Sequence, residues 1–553
     1  MNKTFTNPIL PGWNSDPSCT FVKEWDNTFF CTTSSFLAFP GVPVFASKDL
    51  TNWRLASYAL SRPAQLPELS NKGQQNEGIW ASTIRFHKGT FYLITSYVQF
   101  TDWAPKILLF TTKDPFNDAS WSDPVVIENP ANDIDPDIFW DDDGKIYMAV
   151  AAGIWISEID IVTGSATQPF KVWNGTGDRN PEGPHLYRKD DYYYLLIGEG
   201  GTETNHSVTI ARSKDIKGPY DGFAGNPILT AKNTPEYFQT VGHADFFQDA
   251  SNNWWSVALA TRSGPAWEVY PMGRETVLVP VTWEKGAWPV LDPARGRMTG
   301  PLPPTNKKVK GSGPFVDDPD VLDFPPNSAI PRQLLFWRPP KTSLFAISPP
   351  GHPNTLRIAP SRVNLTANEA FQPSEGLGFI ARKQTSTVFD YSVDVSFKPV
   401  NEGEEAGISV FLTQLQHIDL SIINVGANNS NASTPHLRFR VEASGKPNAT
   451  VPETKTVPVP ASWKSHSIRL KVEATRDSKY IFSASSGSKS DKPTVLGSAS
   501  AAIVSGGSGP FTGTLVGAFA TSNGGTGATP AYFSRWRYTP KEQAITEKEF
   551  IPA

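Results

Sequence analysis

Paired aromatic or apolar residues recur along the first half of the chain, each pair following a short polar turn and leading into a small or aliphatic run. They sit in Asn27-Thr28-Phe29-Phe30-Cys31, Gly89-Thr90-Phe91-Tyr92-Leu93, Gly144-Lys145-Ile146-Tyr147-Met148, Asp191-Tyr192-Tyr193-Tyr194-Leu195 and Asn252-Asn253-Trp254-Trp255-Ser256. The units repeat every 47 to 62 residues, room for a four-stranded antiparallel sheet with its turns. A second landmark keeps phase: Phe45-Ala46-Ser47-Lys48-Asp49, Phe110-Thr111-Thr112-Lys113-Asp114 and Ile210-Ala211-Arg212-Ser213-Lys214-Asp215. Five units predict a five-bladed β-propeller whose innermost strands face a central channel. Counting back 12 residues from Tyr92, Tyr147, Tyr194 and Trp255, and 14 from Phe30, lands on Trp80, Asp135, Glu182, His243 and Asp16, which should ring one axial pocket.

The repeats occupy residues 1–300. Residues 301–333 are rich in Pro, Gly and Lys, as in Pro301-Leu302-Pro303-Pro304 and Gly311-Ser312-Gly313-Pro314, and read as a semi-rigid connector. From 334 to 553 polar and apolar residues alternate again, as in Tyr391-Ser392-Val393-Asp394-Val395-Ser396-Phe397. That pattern predicts a β-sandwich. The whole chain should be all-β, in keeping with 12% aromatic residues, 49 prolines and 42 glycines among 553 residues.

A net charge of −4 gives no reason to expect nucleic acid or an anionic membrane as partner, so the substrate should be neutral. No run of about 18 apolar residues is long enough to span a membrane. The start, Met1-Asn2-Lys3-Thr4, has no apolar segment, as in an intracellular protein or one whose export signal has been removed. Sequons at Asn2, Asn174, Asn205, Asn364, Asn428, Asn431 and Asn448 favour a secreted, extracellular glycoprotein. The only cysteines, Cys19 and Cys31, flank a predicted hairpin near Trp25-Asp26-Asn27 and form either a cross-strand disulfide or two buried thiols.

Three carboxylates in one aromatic-lined pocket suit glycoside hydrolysis, in which one carboxyl protonates the leaving oxygen and another activates water or attacks carbon. Pro17 and Pro136 should hold Asp16 and Asp135 in extended backbone. Glu182, in Pro181-Glu182-Gly183-Pro184, has the longer reach of a general acid, and like charges held close together should let one of the carboxyls stay protonated. Each carboxylate alone also reads as a turn or capping residue; their common phase argues otherwise. Asp141-Asp142-Asp143-Gly144 reads as a solvated turn. Trp80 suits stacking on a sugar or filling the core. His243 suits hydrogen bonding to substrate, ligating a channel cation or a structural role, and Arg262 suits clamping sugar hydroxyls or a rim salt bridge. Metalloprotease, phosphate-loop and serine-elbow motifs are absent from the sequence.

Asn7-Pro8-Ile9-Leu10-Pro11-Gly12 before Ser15-Asp16-Pro17-Ser18, then Ser34-Ser35-Phe36, Gly78-Ile79-Trp80-Ala81, Ile134-Asp135-Pro136, Pro181-Glu182-Gly183-Pro184-His185 and Gly273-Arg274-Glu275 resemble glycoside hydrolase family 43 across residues 7–290. Gly376-Leu377-Gly378-Phe379-Ile380-Ala381-Arg382, Glu405-Ala406-Gly407 and Phe511-Thr512-Gly513 resemble the concanavalin-like sandwich (jelly roll) of its β-xylosidase and arabinofuranosidase members. The resemblance implies a propeller enzyme that inverts anomeric configuration. Asp16 would be the general base, Glu182 the general acid and Asp135 the residue that tunes and orients the acid, with Trp80, Phe36, His243 and Arg262 in the pocket. Ser15 stands where many members carry Pro, and Ala520-Thr521-Ser522-Asn523 lacks the Gln-Asp associated with many members, so a sandwich contribution to the pocket is not implied.

The leading expectation is an exo-acting α-L-arabinofuranosidase that trims arabinose from arabinoxylan or arabinan, with no required cofactor and a structural calcium as an option. The nearest alternative is a β-D-xylosidase acting on xylo-oligosaccharides. A fructan hydrolase would carry Arg-Asp-Pro and Glu-Cys motifs where this chain has Arg179-Asn180-Pro181 and Glu182-Gly183. A non-catalytic sugar-binding module would not need all three carboxylates.

Overall fold

The computed structural model describes residues 2–71, 73–151, 153–366, 372, 374–427, 430–463, 465–487 and 492–553, without side-chain detail at 427 and 430–433. The sequon residue Asn428 and the side chain of Asn431 lie outside the described residues.

Apart from short 3-10 turns, the regular elements among the described residues are all strands. Five successive antiparallel sheets start with the strands Ser18–Val22, Gly78–His87, Asp137–Trp140, Glu182–Lys189 and Phe238–Gln248. These five first strands touch one another in a closed ring, the fifth packing on the first, so the sheets radiate from a channel as propeller blades. The repeated aromatic pairs fall on the second strand of each sheet: Phe30 pairs with Thr20, Tyr92 with Arg85, Tyr147 with Phe139, Tyr194 with Tyr187 and Trp255 with Phe247. The ring is tied shut by the N-terminal segment. Lys3–Thr6 pairs with Arg297–Gly300, Leu10 bridges to Thr276, and the Asn7 side chain donates to the Leu278 carbonyl and accepts from its amide.

Cys19 and Cys31 face each other on the first two strands and are disulfide-bonded. Of the two sequence readings for these thiols, the structure has the bond.

The C-terminal part is a sandwich of a nine-stranded and a six-stranded sheet. Alternation drives it: in Ile468–Ala474 every second residue is buried. Asp320–Leu322, inside the proline-rich stretch, already pairs with the strand Ala531–Ala544 of the larger sheet. Phe336–Trp337 pairs with Ala38–Phe39 of the propeller, which binds the two halves through backbone hydrogen bonds.

The backbone at the channel departs from the sequence reading. Two residues before the equivalent positions Ser18, Thr83, Asp137, His185 and Asp245, the residues Asp16, Ala81, Asp135, Gly183 and His243 have φ of 52°, 42°, 58°, 54° and 47°. All five are left-handed, and in three sheets the strand register shifts there, as bulges do when they re-aim a side chain. Asp16 and Asp135 are thus not held extended by the prolines that follow them. The common phase is also corrected: Asp16, Asp135 and His243 occupy the left-handed position, whereas Trp80 and Glu182 come from the residue before it. At Ala81 and Gly183 the side chain is small or missing, and the neighbour supplies the group that reaches the pocket.

Candidate active site

Asp16, Asp135, Glu182, His243, Trp80 and Phe36 do converge, in one cavity that Ile134, Thr202, Arg274 and Phe511 complete. Asp16 is fastened from two sides. The Ser34 hydroxyl donates to Oδ2 at 2.5 Å while accepting from the Ala81 amide at 2.7 Å, and an Arg274 guanidinium nitrogen lies 3.4 Å from Oδ1. Burial favours the neutral acid, but Arg274, His243 and Ser34 outweigh it and hold the carboxyl below the usual range. Asp16 is therefore a carboxylate, the form a general base needs.

Asp135 receives a hydrogen bond from the Gly183 amide at 3.1 Å, and its own amide donates to the Ser96 hydroxyl. Its carboxyl is thereby coupled to the backbone directly after Glu182. Burial pushes Asp135 up to about 7; His243 opposes this and the Glu182 and Asp16 charges add to it. Glu182 is the most open of the acids, its side chain 21% exposed against 7% for Asp16. Burial works against its ionisation, yet His206 and His243 hold it well below the carboxylate range. In the unliganded site burial thus keeps the proton on Asp135 rather than Glu182; the sequence left open which carboxyl carries it, and His206 was not visible as a neighbour of Glu182.

His243 lies on Gly183: a Cβ there would fall 3.0 Å from the imidazole, and φ of 54° suits glycine. Nδ1 is 3.8 Å from Asp16 Oδ1 and 3.9 Å from Glu182 Oε1. Burial disfavours its charge, but Glu182, Asp16 and Asp135 raise His243 to about 9, so it is an imidazolium. Deeper in the channel Arg85 spans Asp137 and Asp245 at 2.9 and 2.8 Å, so a guanidinium already neutralises that position. Calcium takes six to eight oxygen ligands, and the described residues hold no group of three or more His, Cys, Asp or Glu arranged for a metal.

The aromatic wall is built from both halves of the chain. Phe36 and Phe511 stack with centroids 6.2 Å apart at 19°, and Trp80 meets Phe511 edge-on at 5.9 Å. Phe511 comes from the sandwich, which therefore does contribute to the pocket. The Arg274 side chain lies under its ring at 4.9 Å and donates to its carbonyl at 3.3 Å. Arg262, expected in the pocket, lies instead at the interface of the two halves. Its guanidinium pairs with both oxygens of Glu275 at 2.6 and 2.9 Å and donates to Gln543 and the Ala544 carbonyl. Arg274 is the arginine at the site. Its motif, Gly273-Arg274-Glu275, was visible in the sequence, as was Ser34 in Ser34-Ser35-Phe36; Thr202 and His206 carried no signal beyond their residue types.

A propeller whose axial cavity joins carboxylates, an imidazolium and stacked aromatic rings defines a carbohydrate-cleaving enzyme. The family model for glycosyl hydrolases family 43 matches residues 5–289, and that for the β-xylosidase C-terminal concanavalin A-like domain matches 323–539. The chain belongs to glycosyl hydrolase family 43 and is a glycosidase. A non-reducing-end α-L-arabinofuranosidase of Bacteroides ovatus is 35% identical over 96% of this chain and 94% of its own length. A xylosidase/arabinosidase of Butyrivibrio fibrisolvens is 34% identical over 75% of this chain and 79% of its own. The solved structure described as Bacteroides ovatus xyloglucan PUL GH43B superposes with a TM-score of 0.82 at 32% identity, covering 100% of both chains.

Proposed function

We propose that the protein is an exo-acting, inverting α-L-arabinofuranosidase that removes arabinose side chains from arabinoxylan or arabinan. The observation that carries this is Phe511 packed across Phe36 and Trp80, which walls the carboxylates into a pocket suited to one terminal sugar ring. Asp16 draws a proton from water as its oxygen attacks the anomeric carbon, and Glu182 protonates the departing oxygen. Asp135 orients Glu182 through the Gly183 amide. The chain-long similarity to the Bacteroides ovatus enzyme supports arabinose. Phe100, exposed and edge-on to Trp80, supplies an aromatic face for the polymer from which the sugar is cut.

The second reading, a β-D-xylosidase releasing xylose from xylo-oligosaccharides, is favoured by the β-xylosidase type of the sandwich. Chromatography of sugars freed from arabinoxylan and from linear xylo-oligosaccharides decides between them: arabinose alone supports the first reading, xylose from chain ends the second. We further propose that the protein acts outside the cell, on the ground of the Cys19–Cys31 disulfide and the exposed sequon residues Asn2, Asn174, Asn205 and Asn448. A mobility shift on enzymatic deglycosylation of secreted material is the check.

A further inference from the structure

Glu182 has a neighbour that does not line the pocket. His206 is fully buried, and its Nδ1 lies 3.0 Å from the Thr240 carbonyl. A carbonyl only accepts, so Nδ1 carries a proton. The opposite nitrogen, Nε2, is 3.1 Å from Glu182 Oε1. Among the described residues Nε2 has no hydrogen-bond partner of its own, and the Glu182 carboxyl is the polar group it approaches.

The surrounding chain is shaped to this ring. At Gly242 a Cβ would fall 2.3 Å from the imidazole, and at Gly198 one would fall 3.1 Å from Nε2. Thr240, whose carbonyl fixes the tautomer, has φ of 57°, a strained value for a β-branched residue. Of the other groups facing Glu182, His243 is 3.9 Å from Oε1, Asp16 carries charge of the same sign, and Asp135 is the acid that burial keeps protonated. His206 is the group within hydrogen-bond distance of Oε1.

We propose that His206 is the positioning residue of the general acid: it holds Glu182 Oε1 so that Oε2 faces the glycosidic oxygen, and it stabilises the carboxylate that forms as the proton leaves. This rests on the reading of Glu182 as the acid. In the step itself the proton that the unliganded site keeps on Asp135 first passes to Glu182 Oε2; the glycosidic carbon–oxygen bond then breaks and the departing oxygen takes that proton. Water oxygen bonds to the anomeric carbon and its proton passes to Asp16. His206 stays beside Oε1 throughout, so it exchanges nothing with the substrate.

The test compares two glycosides of the released sugar, one with a 2,4-dinitrophenyl leaving group that departs without protonation and one with a methyl leaving group that needs it. For His206→Ala the expected result is a loss of about 10- to 10²-fold in kcat on the methyl glycoside, part of the contribution of a general acid. Turnover of the dinitrophenyl glycoside should be nearly unchanged, which also shows that the variant is folded. His206→Gln, whose amide can still donate to Oε1, should recover most of the loss. Equal losses on both glycosides in a variant with an unaltered melting temperature, or no loss on either, would overturn the proposal. Glu182→Gln is measured in parallel: if it shows no such discrimination between leaving groups, the acid assignment itself fails, separately from the role of His206.

Discussion

Phe511 of the sandwich stacks on Phe36 of the propeller, with ring centroids 6.2 Å apart and planes 19° from parallel. The catalytic pocket is therefore completed by a residue outside the propeller, and the two halves of the chain act as one unit. Phe511→Ala should raise KM by up to about tenfold, the scale of one aromatic contact. It should leave kcat on an activated glycoside much less affected, since Asp16 and Glu182 do not touch this ring through hydrogen bonds. Steady-state kinetics on an aryl arabinofuranoside read this directly.

The two arginines near the fifth sheet should separate activity from stability. Arg274→Ala removes the cation beside Asp16 and the hydrogen bond to the Thr202 hydroxyl at 2.8 Å. It is expected to lower kcat/KM by at least about 10²-fold, a loss of general-base size. Arg262→Ala leaves Glu275 buried without its partner and should cost about 3–5 kcal/mol of stability. Protein that remains folded should keep its kcat. Denaturant unfolding paired with kinetics on both variants checks the split.

Asp135 gives a pH signature. Its carboxyl, pushed up to about 7 in the folded protein against a normal value of 3.8, binds its proton more tightly folded than unfolded. The stability from that proton is fully present below the unfolded value and is lost as pH rises through about 7. Asp135→Asn keeps an acceptor for the Gly183 amide and removes this loss. The variant should melt higher than the parent at pH 8, with the gap closing towards pH 4, while its activity falls. Melting curves across that range test the sign.

Metal removal should do little. With the Arg85 guanidinium already between Asp137 and Asp245, prolonged chelation is expected to leave kcat and melting temperature unchanged. A loss restored by calcium would show a metal role that these residues do not account for.

The propeller was readable because the aromatic or apolar pairs sit on the second strand of every sheet, with at least one member of each pair buried. The carboxylates were readable because they keep a fixed distance from those pairs. What the pattern could not carry is the left-handed residue at each channel strand. A bulge adds a residue without changing polarity, so Trp80 and Glu182 were placed one position from their structural equivalents, and Asp16 and Asp135 were read as extended. Contacts between distant segments were hidden as well. Phe511 reaches Arg274 across 237 residues, and Arg262 is drawn from the pocket by Gln543, 281 residues away. His206 had no repeat or motif to mark it; only the fold brings it to Glu182.

The most direct test of the account is proton NMR of the sugar first released from an α-L-arabinofuranosyl oligosaccharide, recorded before mutarotation. The predicted first product is β-arabinofuranose, set free by water that Asp16 has activated, and Asp16→Asn should abolish it. If the α-anomer came first, Asp16 would not be acting as the base of a single displacement. If no arabinose were released, the arabinofuranosidase reading of this pocket would be contradicted.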